Sequence, residues 1–197
     1  MKKAIIGSGG FGREVKALLL DNNPNEVVQF FVDDNYVDNN TNPISSLNVN
    51  EYEVIIAVGN PILREQIYRK LPKNTKYFTA IHKSVQILDS NVVIGEGSII
   101  CPNTILTTNI KIGNHTHLNL GSTIGHDTIT GDFFTTAPGV KISGNCIIGD
   151  RVYFGTNSSV RERITICDDV TIGLNGGVVK NINEPGTYVG VPVKKIN

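Results

Sequence analysis

The chain has 197 residues, and its 18 lysines and arginines balance 18 aspartates and glutamates, giving a formal net charge of zero. That length suits one large domain or two small ones, and the charge balance argues against nucleic-acid binding or a polybasic membrane surface, since both need excess positive charge. Isoleucine and valine (25 and 20 residues) outnumber leucine (11), which favours extended chain, while 22 asparagines and 20 glycines supply corners.

Met1–Gly7 carries the charges of a signal peptide but no apolar core, and no apolar run approaches membrane-spanning length, so no membrane segment is expected. Three cysteines without a C-x-x-C pair speak against a disulfide framework or a zinc site and for a reducing cytoplasm.

In chain order, Lys3–Ile6 reads as a strand, followed by Gly7-Ser8-Gly9-Gly10-Phe11-Gly12 and a helix over Arg13–Leu20 with Val15, Leu18 and Leu19 at helical spacing. Val27–Val32 is a second strand ending in Asp33-Asp34, and Asp38–Asn50 is read as a loop. Val54–Val58 is a third strand, and Ile62–Leu71 a second helix with Pro61 in its first turn. Residues 1–80 therefore form a Rossmann-like βαβ domain with a parallel sheet.

From Leu88 the period becomes six. An aliphatic residue recurs at every sixth position to Val178, in thirteen of sixteen cases; Thr130, Thr136 and Phe154 are the exceptions. Four positions after each lies a column of small or β-branched residues, Val92 to Ile182, broken by Phe134. Glycine recurs one position after the first column, at Gly95, Gly113, Gly125, Gly131, Gly149, Gly155 and Gly173. Each hexad is one short strand and a corner, so three close a triangular coil, and residues 81–197 form a parallel β-helix with a short C-terminal tail. The glycines are expected at corners that need backbone freedom. A β-sandwich would turn every 8–12 residues and would not hold this register.

Gly7-x-Gly9-x-x-Gly12 follows a strand and opens a helix, the context in which bare backbone and a helix N-terminus bind phosphate. The alternative is a tight turn without a ligand. A nicotinamide enzyme is disfavoured, because about 80 residues hold one mononucleotide half and a dinucleotide needs two. In the repeat, His126 sits at a corner beside Asp127, close to Thr130, Phe134 and Thr136, and such local rule-breaking suggests a functional site. Gly144 lies one coil above and leaves room beside the ring, while Asp127 can orient a ring nitrogen. The plainer reading is a surface histidine. His115 and His117 share a strand face but lack a third ligand, so no metal site is expected and both are read as solvated.

These residues carry a resemblance. The hexads, Gly125-His126-Asp127, Gly131-Asp132-Phe133, the N-terminal glycines, Phe31-Val32-Asp33-Asp34, Ala57-Val58-Gly59-Asn60 and Gly190-Val191-Pro192 resemble the bacterial hexapeptide-repeat sugar O/N-acyltransferases. Within them the chain is most similar to the branch that acetylates nucleotide-linked 4-amino-4,6-dideoxy sugars. The resemblance implies a left-handed β-helix, a homotrimer, and acetyl-CoA in the groove between adjacent β-helices. It implies His126 as general base; in the mechanism that follows, Asp127 or Asn119 is expected to hold its tautomer. It further implies that Gly9, Gly10, Phe11, Asp33, Asp34, Gly59 and Asn60 contact the nucleotide sugar, and that Thr135, Gly144, Thr156 and Leu174 line the acetyl-CoA groove. The branch often has glutamate where Asp127 stands and histidine where Thr135 stands. The rival functions are O-acetylation of a sugar hydroxyl, as in sialic acid, and a non-catalytic trimeric scaffold.

Overall fold

The computed structural model describes residues 1–197. Strands β1 (Lys2–Ile6), β2 (Val28–Val32), β3 (Thr41–Pro43), β4 (Tyr52–Ile56) and β5 (Lys76–Tyr77) form one parallel sheet in the order β3-β2-β1-β4-β5. Helix α1 (Gly10–Asn22) joins β1 to β2, and α2 (Pro61–Lys70) joins β4 to β5. Both sheet faces are covered, because a parallel sheet with helical crossovers buries both. Ile5 and Ile55 pack with Val15, Leu18 and Leu19 of α1, while Ala4, Ile6, Val54 and Ile56 meet Ile67 and Leu71 on the α2 side. The stretch read as a loop in fact holds β3 and the 3-10 turn Ile44–Ser46. Asn and Pro weaken the strand signal of β3, but an edge strand tolerates both.

From Ala80 onward, two-residue strands recur on three parallel faces. Face 1 runs from Ala80–Ile81 to Val170–Ile172, face 2 from Gln86–Ile87 to Gly177–Val178, and face 3 from Val93–Ile94 to Thr165–Ile166. Face 1 is extended by Gly186–Val189, parallel to Val170–Ile172, and by the antiparallel Lys194–Lys195, so the short tail adds two strands to the β-helix. The two hexad columns supply the core, from Ile100 and Ile110 to Val178 and Ile182. This is the β-helix that the period of six implied.

Three expectations need correction. The register is not continuous to Leu88: Leu106 pairs with Ile87 whereas Ile112 pairs with Ile94, so one extra residue lies between Ile87 and Val93. Leu88 is 60% exposed. The Asp89 carboxylate absorbs the insertion, accepting from the backbone N–H groups of Asn91 and Asn109. Second, the recurrent glycines are not the residues with unusual backbone. A Cβ at Gly113 would run into the backbone of Gly131 and Asp132 in the next coil, and one at Gly95 into Gly113 and Asn114. These glycines permit close stacking of coils. Positive φ falls two positions later, at every sixth residue from Gly97 to Asn175, mostly at Asn, Asp and Gly. Third, His115 and His117 are not solvated; each is 1% exposed.

Candidate active site

The cleft forms where the sheet order reverses, beyond the carboxyl ends of β1 and β4, which is where open parallel sheets bind ligands. The three glycines of the Gly7-x-Gly9-x-x-Gly12 motif do different work. Gly7 has φ +102, a conformation open mainly to glycine. At Gly9 an added Cβ would meet nothing within 4 Å, so bare backbone faces open space at the start of α1. At Gly12 a Cβ would strike the Gly7 carbonyl, so glycine lets the helix close onto the loop.

A cleft of about 380 Å³ lies between Gly10, Phe11 and Gly59 on one wall and Asn119, Thr135 and Thr156 on the other. Asn60 accepts from the Leu63 N–H at 2.9 Å, capping α2, and faces an adjoining cleft with Arg151 and Tyr153. Asp33 and Asp34 stand in the turn after β2 and do not line this cleft: Asp33 accepts from both nitrogens of Asn35, and Asp34 from the Ser45 N–H. Asn119 does not touch His126 within the chain; its Oδ1 accepts from the Leu120 N–H at 2.7 Å. Leu174 is exposed on the same corner as Thr156, one coil further along.

His126 occupies another corner, between faces 2 and 3, with Gly144 above it. Its Nδ1 lies 2.7 Å from Asp127 Oδ2. Asp127 sits at positive φ (+59), and Asn109, one coil below, donates to its Oδ1 at 2.6 Å. Asn109 first, then the His126 ring, holds the Asp127 carboxyl below the ordinary carboxylate range. An ionised carboxylate only accepts, so Nδ1 carries a proton, and in the neutral ring the lone pair is then on Nε2. A Cβ at Gly144 would lie 2.5 Å from Nε2, so that glycine keeps the nitrogen's surroundings open.

The irregular residues near His126 serve the core. Phe134 packs edge-on against Phe154 at 5.9 Å, and the Thr136 hydroxyl meets Ser122 and the Asn119 N–H. A large ring beside a small threonine conserves volume. Asn109 escaped the sequence reading, yet the eighteen-residue spacing to Asp127 was there to find it.

The two domains meet through Arg64, His115 and His117, all buried. His117 Nε2 faces the Ile56 carbonyl at 3.0 Å, and its ring lies 5.0 Å from Phe11. His115 stacks on Phe133 at 5.3 Å, within the aromatic rings of Tyr68 and Tyr77. No helix is long and apolar enough to cross a membrane.

Comparison with known proteins agrees with this architecture. Residues 2–71 match the PglD N-terminal domain family. The solved structure of WeeI from Acinetobacter baumannii AYE is 32% identical, superposes with a TM-score of 0.89, and is matched over 100% of both chains. The acetyltransferase domain of PglB from Neisseria gonorrhoeae FA1090 is 26% identical over 99% of each chain, with a TM-score of 0.89; that domain has also been solved with acetyl coenzyme A. The GDP-perosamine N-acetyltransferase of Escherichia coli O157:H7 is 28% identical over 173 residues, 81% of this chain and 78% of that protein. A two-domain architecture shared end to end with a relative at this identity places the chain: it belongs to the PglD-type nucleotide-sugar N-acetyltransferases of the hexapeptide-repeat family.

Proposed function

We propose that the chain transfers the acetyl group of acetyl-CoA to the 4-amino group of a nucleotide-linked 4-amino-4,6-dideoxy sugar, with His126 as general base. The observation that carries this reading is the 2.7 Å contact between His126 Nδ1 and the Asp127 carboxylate, with Gly144 beside Nε2. Asp127 occupies Nδ1, and Nε2 points over a glycine with its lone pair available. A sugar ammonium cannot attack a thioester until it loses a proton, and an imidazole accepts protons near neutrality. That first proton goes to solvent; as the neutral amine bonds to the acetyl carbon, Nε2 takes a second proton from its nitrogen, and the tetrahedral adduct collapses with cleavage of the carbon–sulfur bond. The thiolate then leaves and takes up the proton. No covalent enzyme intermediate is needed.

The glycine loop and the Gly59 turn would hold the nucleotide, so that binding energy remote from the reacting atoms positions the amine. Thr135, Thr156 and Leu174 would line the acetyl-CoA groove. Because these residues and His126 stand on different corners of one β-helix, His126 would serve the cleft of a neighbouring copy, in keeping with a homotrimer. The acetyl coenzyme A complex of the PglB domain and the substrate in the name of the E. coli relative support the choice of donor and acceptor class.

The test is His126→Ala assayed by thiol release. With a 4-amino sugar nucleotide, release should vanish while nucleotide binding persists, and near-native turnover would remove His126 from the mechanism. An amine acceptor should far outpace a sugar hydroxyl in the same assay; the reverse order would make the chain an O-acetyltransferase.

A further inference from the structure

The junction between the domains is built around a cation with no counter-charge. Arg64 of α2 is fully buried, and none of its partners is a carboxylate. Nε donates to the His115 carbonyl at 2.9 Å. Nη1 donates to the Val58 carbonyl at 2.7 Å and to His117 Nδ1 at 3.2 Å. Nη2 donates to the Phe133 carbonyl and to Thr135 Oγ1, both at 2.7 Å. Burial pulls the guanidinium down to about 9, which leaves it charged at neutral pH. Burying such a charge without an acid is costly, and apolar residues alone can hold two domains together.

What the acceptors share is their place. Val58 leads into the Gly59 turn on the sugar-nucleotide wall of the cleft, and Thr135 stands on the opposite wall. His117 extends the set: since Nδ1 accepts from Arg64, Nε2 carries the proton and donates to Ile56 at the end of β4, and the ring rests against Phe11. A planar fork with five fixed donors can span both walls, which three donors on a lysine ammonium cannot.

We infer that Arg64, acting through His117, Val58 and Thr135, is a positioning residue that sets the separation between the nucleotide-sugar wall and the acetyl-CoA wall. This rests on the acetyltransferase reading above. The test is Arg64→Lys, which keeps the charge and the stem. Binary dissociation constants for the sugar nucleotide alone and for CoA alone should stay within about threefold of native. By contrast, kcat should fall on the order of 100-fold, as expected for a misplacement near 1 Å. If that variant does not fold, His117→Phe carries the same expectation, because it keeps a ring on Phe11 and removes the acceptor of Arg64.

A kcat within threefold of native would overturn the proposal. So would binary affinities that weaken in step with kcat, or loss of fold in both variants, since each makes the cluster a purely structural anchor. If the native chain releases no thiol, it is the functional reading that fails. The separation is then read between spin labels at Asn39 and Lys111 in a Cys167→Ser chain. A narrow native distribution that broadens in Arg64→Lys supports the proposal, and an unchanged one overturns it.

Discussion

Asp127 is held from two sides, by the His126 ring it orients and by the Asn109 amide beneath it. Its backbone conformation belongs to the positive-φ corner, which Asp tolerates better than most residues. The carboxylate is therefore aimed by the corner itself, and Nε2 by the absence of a side chain at Gly144. That glycine can be tested directly. A Cβ there would lie 2.5, 2.7 and 2.9 Å from Nε2, Cε1 and Cδ2 of His126, so the ring must move. Because the ring is 58% exposed, it can move without unfolding the chain. Gly144→Ala should keep its melting temperature and lose on the order of 100-fold in kcat, the usual cost of a small misplacement of a reacting group. Steady-state kinetics beside thermal unfolding decide it; full activity would mean that Nε2 does not need that opening.

Between the residue and the fold stands the hexad. Its inward columns were legible because stacking on both sides enforces one register, from Ile100 to Val178. The first coil has neighbours on one side only, so an insertion before Val93 costs little, and there the sequence period misled. His126 was legible as the oddity of its corner, but the supporting irregularities, Phe134 and Thr136, turned out to be core volume. The docking of α2 was hidden because its signal is spread over coils eighteen residues apart. At one corner the positive-φ residues are Gly97, His115, Phe133, Arg151 and Asp169. Three of them are bulky residues where Asn or Gly would be expected, and each meets the second crossover helix or its flank: His115 and Phe133 touch Tyr68, and Arg151 lies 3.6 Å from Glu65. Backbone strain is accepted there in return for domain contact. Phe133→Asn relieves that strain, worth about 1–2 kcal/mol, but forfeits a buried ring, worth about 3–5 kcal/mol on truncation. The net expectation is a loss of about 2 kcal/mol and a melting temperature lower by about 4–8 °C. Asn157→Ala, at an exposed corner of the same backbone class, should cost only about 1 kcal/mol. Equal shifts in the two variants would contradict a docking role for the ladder.

At the scale of the whole molecule, the buried junction couples stability to acidity. Burial first, and the neighbouring Arg64 charge second, push His115 down to about 4 and His117 well below its ordinary value; Asp132 opposes this weakly at His115. Both folded pKa values lie below the unfolded value near 6.5, so the folded chain keeps these rings neutral where the unfolded chain protonates them. Above pH ~6.5 neither state binds the protons and stability is flat. As pH falls from about 6.5 towards 4, each ring removes up to about 1.4 kcal/mol per pH unit. His117 adds a structural reason, because a protonated Nδ1 could no longer accept from Arg64. The two contributions separate through His115, whose ring nitrogens are both buried without hydrogen-bond partners. His115→Phe fills the same aromatic surround, at a corner whose backbone class Phe133 already occupies one coil away. It removes one titrating group and two unsatisfied polar atoms, whose burial is unfavourable. Urea midpoints between pH 4 and 8 should then show a variant at least as stable as native at pH 7, with an acid limb shallower by one proton. Parallel curves would mean that His115 is not the group that senses acid, and would leave the whole slope to His117 and the carboxylates.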